Sequence, residues 1–260
     1  MSLCFSVLGS GSKGNCTLVR SGKTTLLIDA GFSGKESRRR LEMVGCAGID
    51  IDAILVTHEH NDHIHGAGVL SRQLCAPVYA NPGTHRAAEP KVGKLHERRE
   101  FATGEAFQFR DLLIHPFAIS HDTADPVGFR ISDGHSSLGY CTDTGRITRL
   151  IEYHLTGCDA LVLECNHDPK MLREGPYPLA LQQRVISSQG HLANSDALHC
   201  AATLKARGRL HLLVMAHLSE VNNHPDIVRQ EAEAVLGRQV EGLQQVIARQ
   251  DAPTKLFRLT

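Results

Sequence analysis

The eight cysteines of this 260-residue chain include no Cys-x-x-Cys pair, which argues against a zinc knuckle built on thiolates. The chain also lacks a net charge, because 28 basic residues balance 28 acidic ones. Composition therefore gives no global electrostatic argument for binding to nucleic acid or to a membrane. No apolar run approaches the roughly 18 residues that a membrane-spanning helix needs, so we expect no association with a membrane.

The N-terminal segment has no basic stretch followed by a long apolar one, and we therefore expect no signal peptide. Several cysteines lie inside apolar runs, which favours reduced, buried thiols and a cytoplasmic location over a disulfide framework. With 42% hydrophobic residues the chain can bury a sizeable core, and its length fits one large domain or two small ones.

Histidine is the residue type that stands out, with 16 copies, and residues 58–63 read H-x-H-x-D-H after a short apolar run. Alternate residues of an extended segment point the same way, so His58 and His60 can bind one ion. Asp62 and His63, beyond the bend, can reach a second ion. Imidazole with carboxylate is the ligand set of Zn²⁺, Fe or Mn²⁺ rather than of Ca²⁺ or Mg²⁺. The alternative interpretation is a polar loop that is simply rich in histidine.

Three later strand ends supply further ligands. The apolar runs at 112–117, 138–141 and 210–215 are each followed within a few residues by one His or Asp. A carboxylate has two oxygens to share between two cations, which makes Asp143 the natural bridge. We therefore predict two divalent metal ions (Zn, Mn or Fe). Their predicted ligands are His58, His60 and His121 on the first ion, Asp62, His63 and His217 on the second, and Asp143 between them.

Short strands and helices occur in both halves of the chain, and this pattern predicts two sheets packed face to face with helices outside. A helix is predicted over 195–207, with Asn194 or Ser195 as its N-cap. The segment from Pro90 to Arg99 is rich in Lys and Arg, and we predict a solvated surface loop there.

The order and spacing of the predicted ligands resemble the metallo-β-lactamase superfamily. Residues 26–31 are also similar to the first motif of that superfamily, which implies that Asp29 orients a ligand. The resemblance covers essentially the whole chain. It implies an α/β fold of the four-layer αββα sandwich type, formed as a single domain over residues 1–260. It says much less about the substrate, because this fold hosts many hydrolases.

Two features of the later ligands narrow the branch of the superfamily. The predicted ligand that lies between His121 and His217 in the sequence is Asp143 and not Cys. This residue choice disfavours hydrolysis of β-lactams. Asp143 and His217 are 74 positions apart, whereas branches with an inserted β-CASP domain carry a much longer insertion at this point. We therefore expect no β-CASP insertion.

Local strings resemble the YycJ/WalJ-like proteins of this superfamily. They lie at residues 10–15, 164–168, 190–194, 217–219 and 222–223. The resemblance implies 5′-to-3′ exonuclease activity on double-stranded DNA. Two positions depart from the pattern, because Ala193 stands where Ser is usual and His65 stands where Lys is common.

Further residues are predicted to act on the substrate. The predicted substrate contacts are Ser12, Asn15, His65, Asn166 and Asn194. The loop at 10–15 is open to two interpretations, a simple hairpin turn or a phosphate contact through backbone N–H groups. His191 and His167 are candidates to protonate the leaving alkoxide or to bind phosphate, and Asp62 is predicted to orient the nucleophile. The alternative for His191 is an ordinary residue near the end of a helix.

The predicted function is a metal-dependent phosphodiesterase, a 5′-to-3′ exonuclease that acts on DNA through a hydroxide activated by two metals. The alternatives are a metallohydrolase of small substrates, such as a cyclic phosphodiester, a thioester or a lactone, and a non-catalytic metal-binding regulator. Because duplex binding draws on basic surface, we predict that at least one of two cationic clusters flanks the metal cleft. These clusters are Arg38, Arg39 and Arg40, and Lys91, Lys94, Arg98 and Arg99.

Overall fold

The computed structural model describes residues 2–237 and 242–259, which contain fourteen strands and nine helices. The strands are β1 (Cys4–Gly9), β2 (Cys16–Arg20), β3 (Thr25–Ile28), β4 (Ala53–Leu55), β5 (Val78–Ala80), β6 (Arg98–Glu100), β7 (Phe107–Phe109), β8 (Leu112–Ala118), β9 (Val127–Ser132), β10 (Ser137–Cys141), β11 (Ala160–Glu164), β12 (Leu212–Ala216), β13 (Gln244–Ile247) and β14 (Phe257–Arg258). The helices are α1 (Gly34–Met43), α2 (Asn61–Ile64), α3 (Ala67–Leu74), α4 (Pro82–Val92), α5 (Arg149–Leu155), α6 (Pro169–Glu174), α7 (Leu179–Val185), α8 (Asn194–Arg207) and α9 (Pro225–Leu236).

The strands form two seven-stranded mixed sheets. The first has the order β14-β1-β2-β3-β4-β5-β6, and the second has the order β13-β12-β11-β10-β9-β8-β7. The pairs from β3 to β6 and from β10 to β13 are parallel, while the other pairs are antiparallel. The carboxyl ends of neighbouring parallel strands lie at one edge of each sheet, which is where open α/β sheets place their binding sites.

Apolar side chains fill three layers, one between the sheets and one on the outer face of each sheet. In β3, Leu26 and Ile28 face the layer between the sheets, whereas Leu27 faces the layer shared with α1, α3 and α4. In β11, Val162 faces inward and Leu163 faces the layer shared with α5, α8 and α9. Each fully buried side chain of this size contributes roughly 1.5–3 kcal/mol. Helices therefore cover both outer faces, and the predicted αββα sandwich is confirmed.

Two local predictions were wrong. The segment from Pro90 to Arg99 is solvated, as predicted, but it is not a loop throughout, because it contains the end of α4 and the start of β6. Asn81 is the N-cap of α4, and its side-chain oxygen accepts a hydrogen bond from the backbone N–H of Thr84 at 2.8 Å. The N-cap of α8 is Ala193, without a side-chain cap, while the amide of Asn194 bonds to Asn223 instead. No helix within the described residues is long and apolar enough to cross a membrane.

The turn after β3 is packed directly against the segment that carries the predicted ligands. Backbone hydrogen bonds join Ala30 N–H to His63 O and Asn15 N–H to Asp62 O, both at 2.7 Å. A Cβ atom on Gly31 would lie 1.8 Å from the backbone oxygen of Asp62. Only glycine allows this approach without displacement of the backbone.

We predict that Gly31→Ala lowers stability, because the new methyl group must push the Asp62 segment away. Overpacking of this kind costs about 1–3 kcal/mol, and about 1 kcal/mol lowers the Tm of a chain this large by roughly 2–4 °C. Thermal unfolding measures the effect. Gly34→Ala is the matched control, since a Cβ there would first meet the flexible end of Gln73 at 3.0 Å. Equal melting temperatures for the two variants would contradict the packing argument.

Candidate metal centre

The carboxyl ends of strands from both sheets meet at one place, and polar side chains follow them there. The backbone at Asp29, Asp143 and His217, just after β3, β10 and β12, is left-handed, with φ of 61°, 59° and 55°. These are three of the five non-glycine residues with positive φ in the described ranges. Such conformations cost about 1–3 kcal/mol each and concentrate at functional sites. Asp and His adopt them more readily than most residues.

The first predicted ligand group comes together as expected. His58, His60 and His121 each place one ring nitrogen within 4.8 Å of the others. The Nδ1 atom of His60 lies 3.2 Å from Nε2 of His121. The His58 ring is fully buried, and its Nε2 has no hydrogen-bond partner within residues 2–237 and 242–259. An unpaired buried polar atom costs about 1–3 kcal/mol, and a cation bound by the three imidazoles would satisfy it.

The second predicted group lies beside the first. Asp62 Oδ2 is 3.4 Å from Nε2 of both His63 and His217. Asp143 divides its oxygens between the same two rings, with Oδ2 3.3 Å from His63 Nε2 and Oδ1 3.3 Å from His217 Nε2. Asp143 also lies within 4.8 Å of the ligand atoms of His58 and His63, so it contacts both groups. The structure thus brings all seven predicted ligands together, and the donor set fits Zn²⁺, Mn²⁺ or Fe²⁺.

Asp29 positions the segment 57–63, because both of its carboxylate oxygens are bonded to residues of that segment. Its Oδ1 accepts the backbone N–H of Thr57 at 2.9 Å, and its Oδ2 lies 2.8 Å from Nδ1 of His63. The hydroxyl of Thr57 bonds to the same carboxylate and lies 3.0 Å from Nδ1 of His58. Burial raises the pKa of Asp29, and the His63 imidazole opposes that rise. This geometry matches the orienting role that the resemblance implied, and it leaves Nε2 of His63 for a metal.

The ring of His121 is oriented by backbone carbonyls. Its Nδ1 lies 3.1 Å from the oxygens of both Gln189 and Gly190. The neighbouring Ser120 hydroxyl donates to the oxygen of Ser188 at 2.6 Å. The turn at 187–190 is therefore tied to the strand end that carries this ligand.

The electrostatic field at the second ligand group favours a cation. Burial lowers the pKa of His63, but the carboxylates of Asp143, Asp29 and Asp62 outweigh burial and raise it well above its ordinary value. In the same way, against burial, carboxylates led by Asp143 raise the pKa of His217 to about 10. The field that favours a proton on these rings also favours a metal ion in the space between them. Metal binding would then release protons.

Glu164 is a site residue that the sequence-based prediction missed. It is fully buried at the end of β11, with Oε1 2.7 Å from Nδ1 of His191 and 3.4 Å from Nδ1 of His217. Its Oε2 accepts the backbone N–H groups of Thr144 and Leu192. Burial would raise its pKa, but His191 and the hydrogen bonds outweigh burial and lower the pKa of Glu164 to about 2. An acidic residue directly after the apolar run 160–163 was the available signal, as for Asp143.

Five of the seven predicted ligands line an open cleft of about 360 Å³, and the other two, His58 and His63, are buried beneath it. His191 lines this cleft, together with two cationic side chains, Lys91 and Arg184. Nε of Arg184 donates to the carboxylate of Asp122 at 2.6 Å. Neither Arg184 nor Asp122 was singled out from the sequence, although Asp122 directly follows a predicted ligand.

Only some of the predicted substrate contacts line the cleft. Ser12 and Asn166 line the cleft, whereas His65 is exposed at the end of α2 and does not line it. Asn15 is buried below the site, where its amide donates to Oδ2 of Asp62 at 3.1 Å. Asn194 is also buried and bonds to Asn223, so its geometry suits a structural contact. The loop at 10–15 therefore positions a ligand, which neither of its two interpretations anticipated.

The two predicted cationic clusters do not flank the cleft as units. Lys91 lines it and donates to the backbone oxygen of Glu59 at 2.9 Å. Arg40 is buried elsewhere, with its guanidinium 3.9 Å from the ring centre of Phe32. The cations that line the cleft are instead Lys91 and Arg184, which lie far apart in the sequence.

We predict that Asp29→Asn weakens metal binding while the fold is retained. The amide keeps the size of the carboxylate but loses the charge that faces Nδ1 of His63. Loss of such an orienting partner lowers metal affinity roughly 10–100-fold, which competition with a chromogenic chelator for Zn²⁺ measures. Asp111→Asn is the control, because Asp111 also accepts bonds from two hydroxyls but lies at the β7–β8 turn. Equal Zn²⁺ affinity for both variants would refute the orienting role of Asp29.

Comparison with known proteins agrees with this geometry. Residues 24–217 match the family model described as the beta-lactamase superfamily domain. The chain is 36% identical to exodeoxyribonuclease YycJ of Bacillus anthracis, over 98% of this chain and 97% of that protein. It is 38% identical to exodeoxyribonuclease WalJ of Streptococcus pneumoniae, over 90% of each. The crystal structure of the metallo-beta-lactamase fold protein YhfI from Bacillus subtilis superposes with a TM-score of 0.74 and 20% identity, covering 98% of this chain and 99% of that one. The chain therefore belongs to the metallo-β-lactamase superfamily, in the branch that contains YycJ and WalJ, and is a metal-dependent hydrolase.

Proposed function

We propose that this hydrolase is a phosphodiesterase that acts on DNA as a 5′-to-3′ exonuclease. The observation that carries the proposal is the position of Lys91 and Arg184, which line the same cleft as the metal-binding cluster. Cations beside a metal centre suit a phosphodiester, whose charge is negative, better than a neutral thioester or lactone. The names of the two relatives support DNA as the substrate, and the direction of digestion rests on the resemblance to their branch.

We propose that the cleft binds two divalent ions, Zn²⁺, Mn²⁺ or Fe²⁺, through the seven predicted ligands. Asp143 supports this number, because it lies near His58 of the first group as well as His63 and His217 of the second, and a carboxylate can bridge two cations. Such ions, when bound, polarise a phosphoryl oxygen and lower the pKa of water. Asp62 is suited to orient the attacking water, since Asn15 fixes its carboxylate at the cleft floor.

We propose His191 as the group that protonates the leaving oxygen. Its Nδ1 is held by Glu164 at 2.7 Å, which orients the ring so that Nε2 is left for the substrate. Burial lowers the pKa of His191, but the carboxylate of Glu164 outweighs burial and raises it, which favours the protonated form. His167, the other candidate, is buried and does not line the cleft, so its geometry suits this role less well.

We also propose a single domain over residues 1–260, without a β-CASP insertion, and a cytoplasmic location. The stretch between Asp143 and His217 supports the first point, since its strands and helices, β11, β12 and α5–α8, are part of the two-sheet fold. The cysteines support the second point, because all eight are free thiols and seven are at least partly buried.

We predict about two metal ions per chain by elemental analysis of protein purified without chelator. Asp143→Asn should lower the occupancy of both ions, because the bridging carboxylate contacts both ligand groups. Asn61→Ala, an exposed neighbour of the cluster, is the control and should keep both ions. Loss of a single ion from Asp143→Asn, with the other fully retained, would show that Asp143 is not the bridge.

We predict that the wild-type protein, loaded with Mn²⁺ or Zn²⁺, releases nucleotides from the 5′ end of a labelled DNA duplex. His191→Ala should keep both metals and lose roughly 10²–10⁴ in turnover, the range for a general acid. His199→Ala, an exposed histidine of α8, is the control.

The same preparation should be tested on a thioester and on a small phosphodiester. Cleavage of these compounds, with no degradation of DNA under any divalent ion, would reject the nuclease in favour of a small-substrate hydrolase. Metal loss in His191→Ala would instead place His191 among the ligands.

A further inference from the structure

One wall of the cleft is apolar, a feature that metal binding and phosphate binding leave unused. Tyr177, Leu181 and Val185 line it. Leu181 and Val185 are four residues apart on α7, so they lie on the same helix face. Tyr177 lies two residues before the helix, and within the described ranges its ring has no aromatic neighbour and its hydroxyl has no hydrogen-bond partner.

This wall is held in a fixed position relative to the metal ligands. The side chain of Gln182 donates to the backbone oxygen of Tyr177 at 2.9 Å, which joins the residue to the helix. At the other end of α7, the backbone N–H of His191 donates to the oxygen of Val185 at 2.8 Å. A Cβ on Gly190 would lie 2.1 Å from that same oxygen, so helix and turn are in close contact. Residues 187–190 also orient the ring of His121, through the backbone oxygens of Gln189 and Gly190.

Helix α7 also carries exposed apolar side chains at its two ends, outside the cleft lining. Leu179 is 68% exposed and Ile186 is 62% exposed, although both are large hydrophobic residues at the ends of α7. Within a phosphodiester substrate of DNA, the base is the flat, weakly polar group that suits the apolar wall formed by Tyr177, Leu181 and Val185.

The size of the cleft limits that group. A volume of about 360 Å³ is near the lower end of the range for sites that hold one small molecule, roughly 300–1,000 Å³. One nucleotide suits this space, whereas a base pair with its flanking backbone does not. Nucleobases stack on aromatic side chains with little regard to sequence, because every base has a π-face.

We propose, on the basis of the proposed function, that the cleft accepts one unpaired nucleotide. Its base stacks on Tyr177 and the apolar face of α7, while its phosphate lies beside the metal-binding cluster with Lys91 and Arg184. The end of a duplex must therefore open before cleavage, which costs a few kcal/mol for a paired base and least for a mismatched or single-stranded one. Tyr177 is thus a specificity-determining residue that selects unpaired ends.

The test compares Tyr177→Ala, Tyr177→Phe and the wild type on oligonucleotides whose unpaired terminal nucleotide either has a base or is abasic. Tyr177→Ala should lower kcat/KM on the normal terminus roughly 5- to 150-fold, the equivalent of one base–aromatic stack, and leave the abasic one unchanged. Tyr177→Phe should restore the wild-type value. Tyr153→Ala is the matched control, since Tyr153 is 73% exposed and lies outside the cleft. Wild-type enzyme should also cleave mismatched duplex ends faster than G·C-paired ends.

A binding measurement tests stacking without turnover. In the His191→Ala variant, the fluorescence of a terminal 2-aminopurine should be quenched when the oligonucleotide binds. In the double variant His191→Ala, Tyr177→Ala this quenching should be lost. Equal losses on normal and abasic termini, or equal rates on paired and mismatched ends, would overturn the proposal while leaving the nuclease activity standing. Failure of the wild type to degrade any oligonucleotide would overturn the proposed function and this inference together.

Discussion

The contact between the buried carboxylate of Asp29 and the segment Thr57–His63 is the interaction on which the site depends. A buried carboxylate is tolerated only when its oxygens are hydrogen-bonded, and the backbone and hydroxyl of Thr57 and the ring of His63 supply those bonds. The same bonds join the end of β3 to the loop after β4. These bonds orient the ring of His63 before any metal is bound. The folding of the first sheet therefore also determines the shape of the site.

The two sheets create the site together, and neither contains it alone. His58, His60, Asp62 and His63 follow a strand of the first sheet, whereas His121, Asp143 and His217 follow strands of the second. The strand ends must turn sharply to direct their side chains to a common point, and three of the residues involved have a left-handed backbone. This strain is offset by the apolar layers on both faces of each sheet, which keep the strand ends in register.

Charge is balanced over the whole chain but not within the site. The carboxylates of Asp62 and Asp143 line the cleft and raise the pKa of the neighbouring His63 and His217, and the cationic side chains of Lys91 and Arg184 line the same cleft. The carboxylates suit a metal ion, whereas the cationic side chains suit a negatively charged group. A net charge of zero is therefore compatible with an anionic substrate, because electrostatic attraction at short range depends on local arrangement.

The sequence by itself determined the class of fold and indicated the candidate metal ligands, because both leave short-range patterns. Short apolar runs such as β3 mark strands that are buried on both faces, and His58 to His63 and Asp143 follow such runs where strand ends meet. The sequence did not reveal the pairing of Glu164 with His191, of Arg184 with Asp122, or the burial of Asn15 beneath Asp62. Each of these contacts joins residues 27 to 62 positions apart, and such a contact has no periodicity to mark it. Only the packing of the two sheets decides which polar residues meet at the cleft and which, like Asn194, are buried away from it.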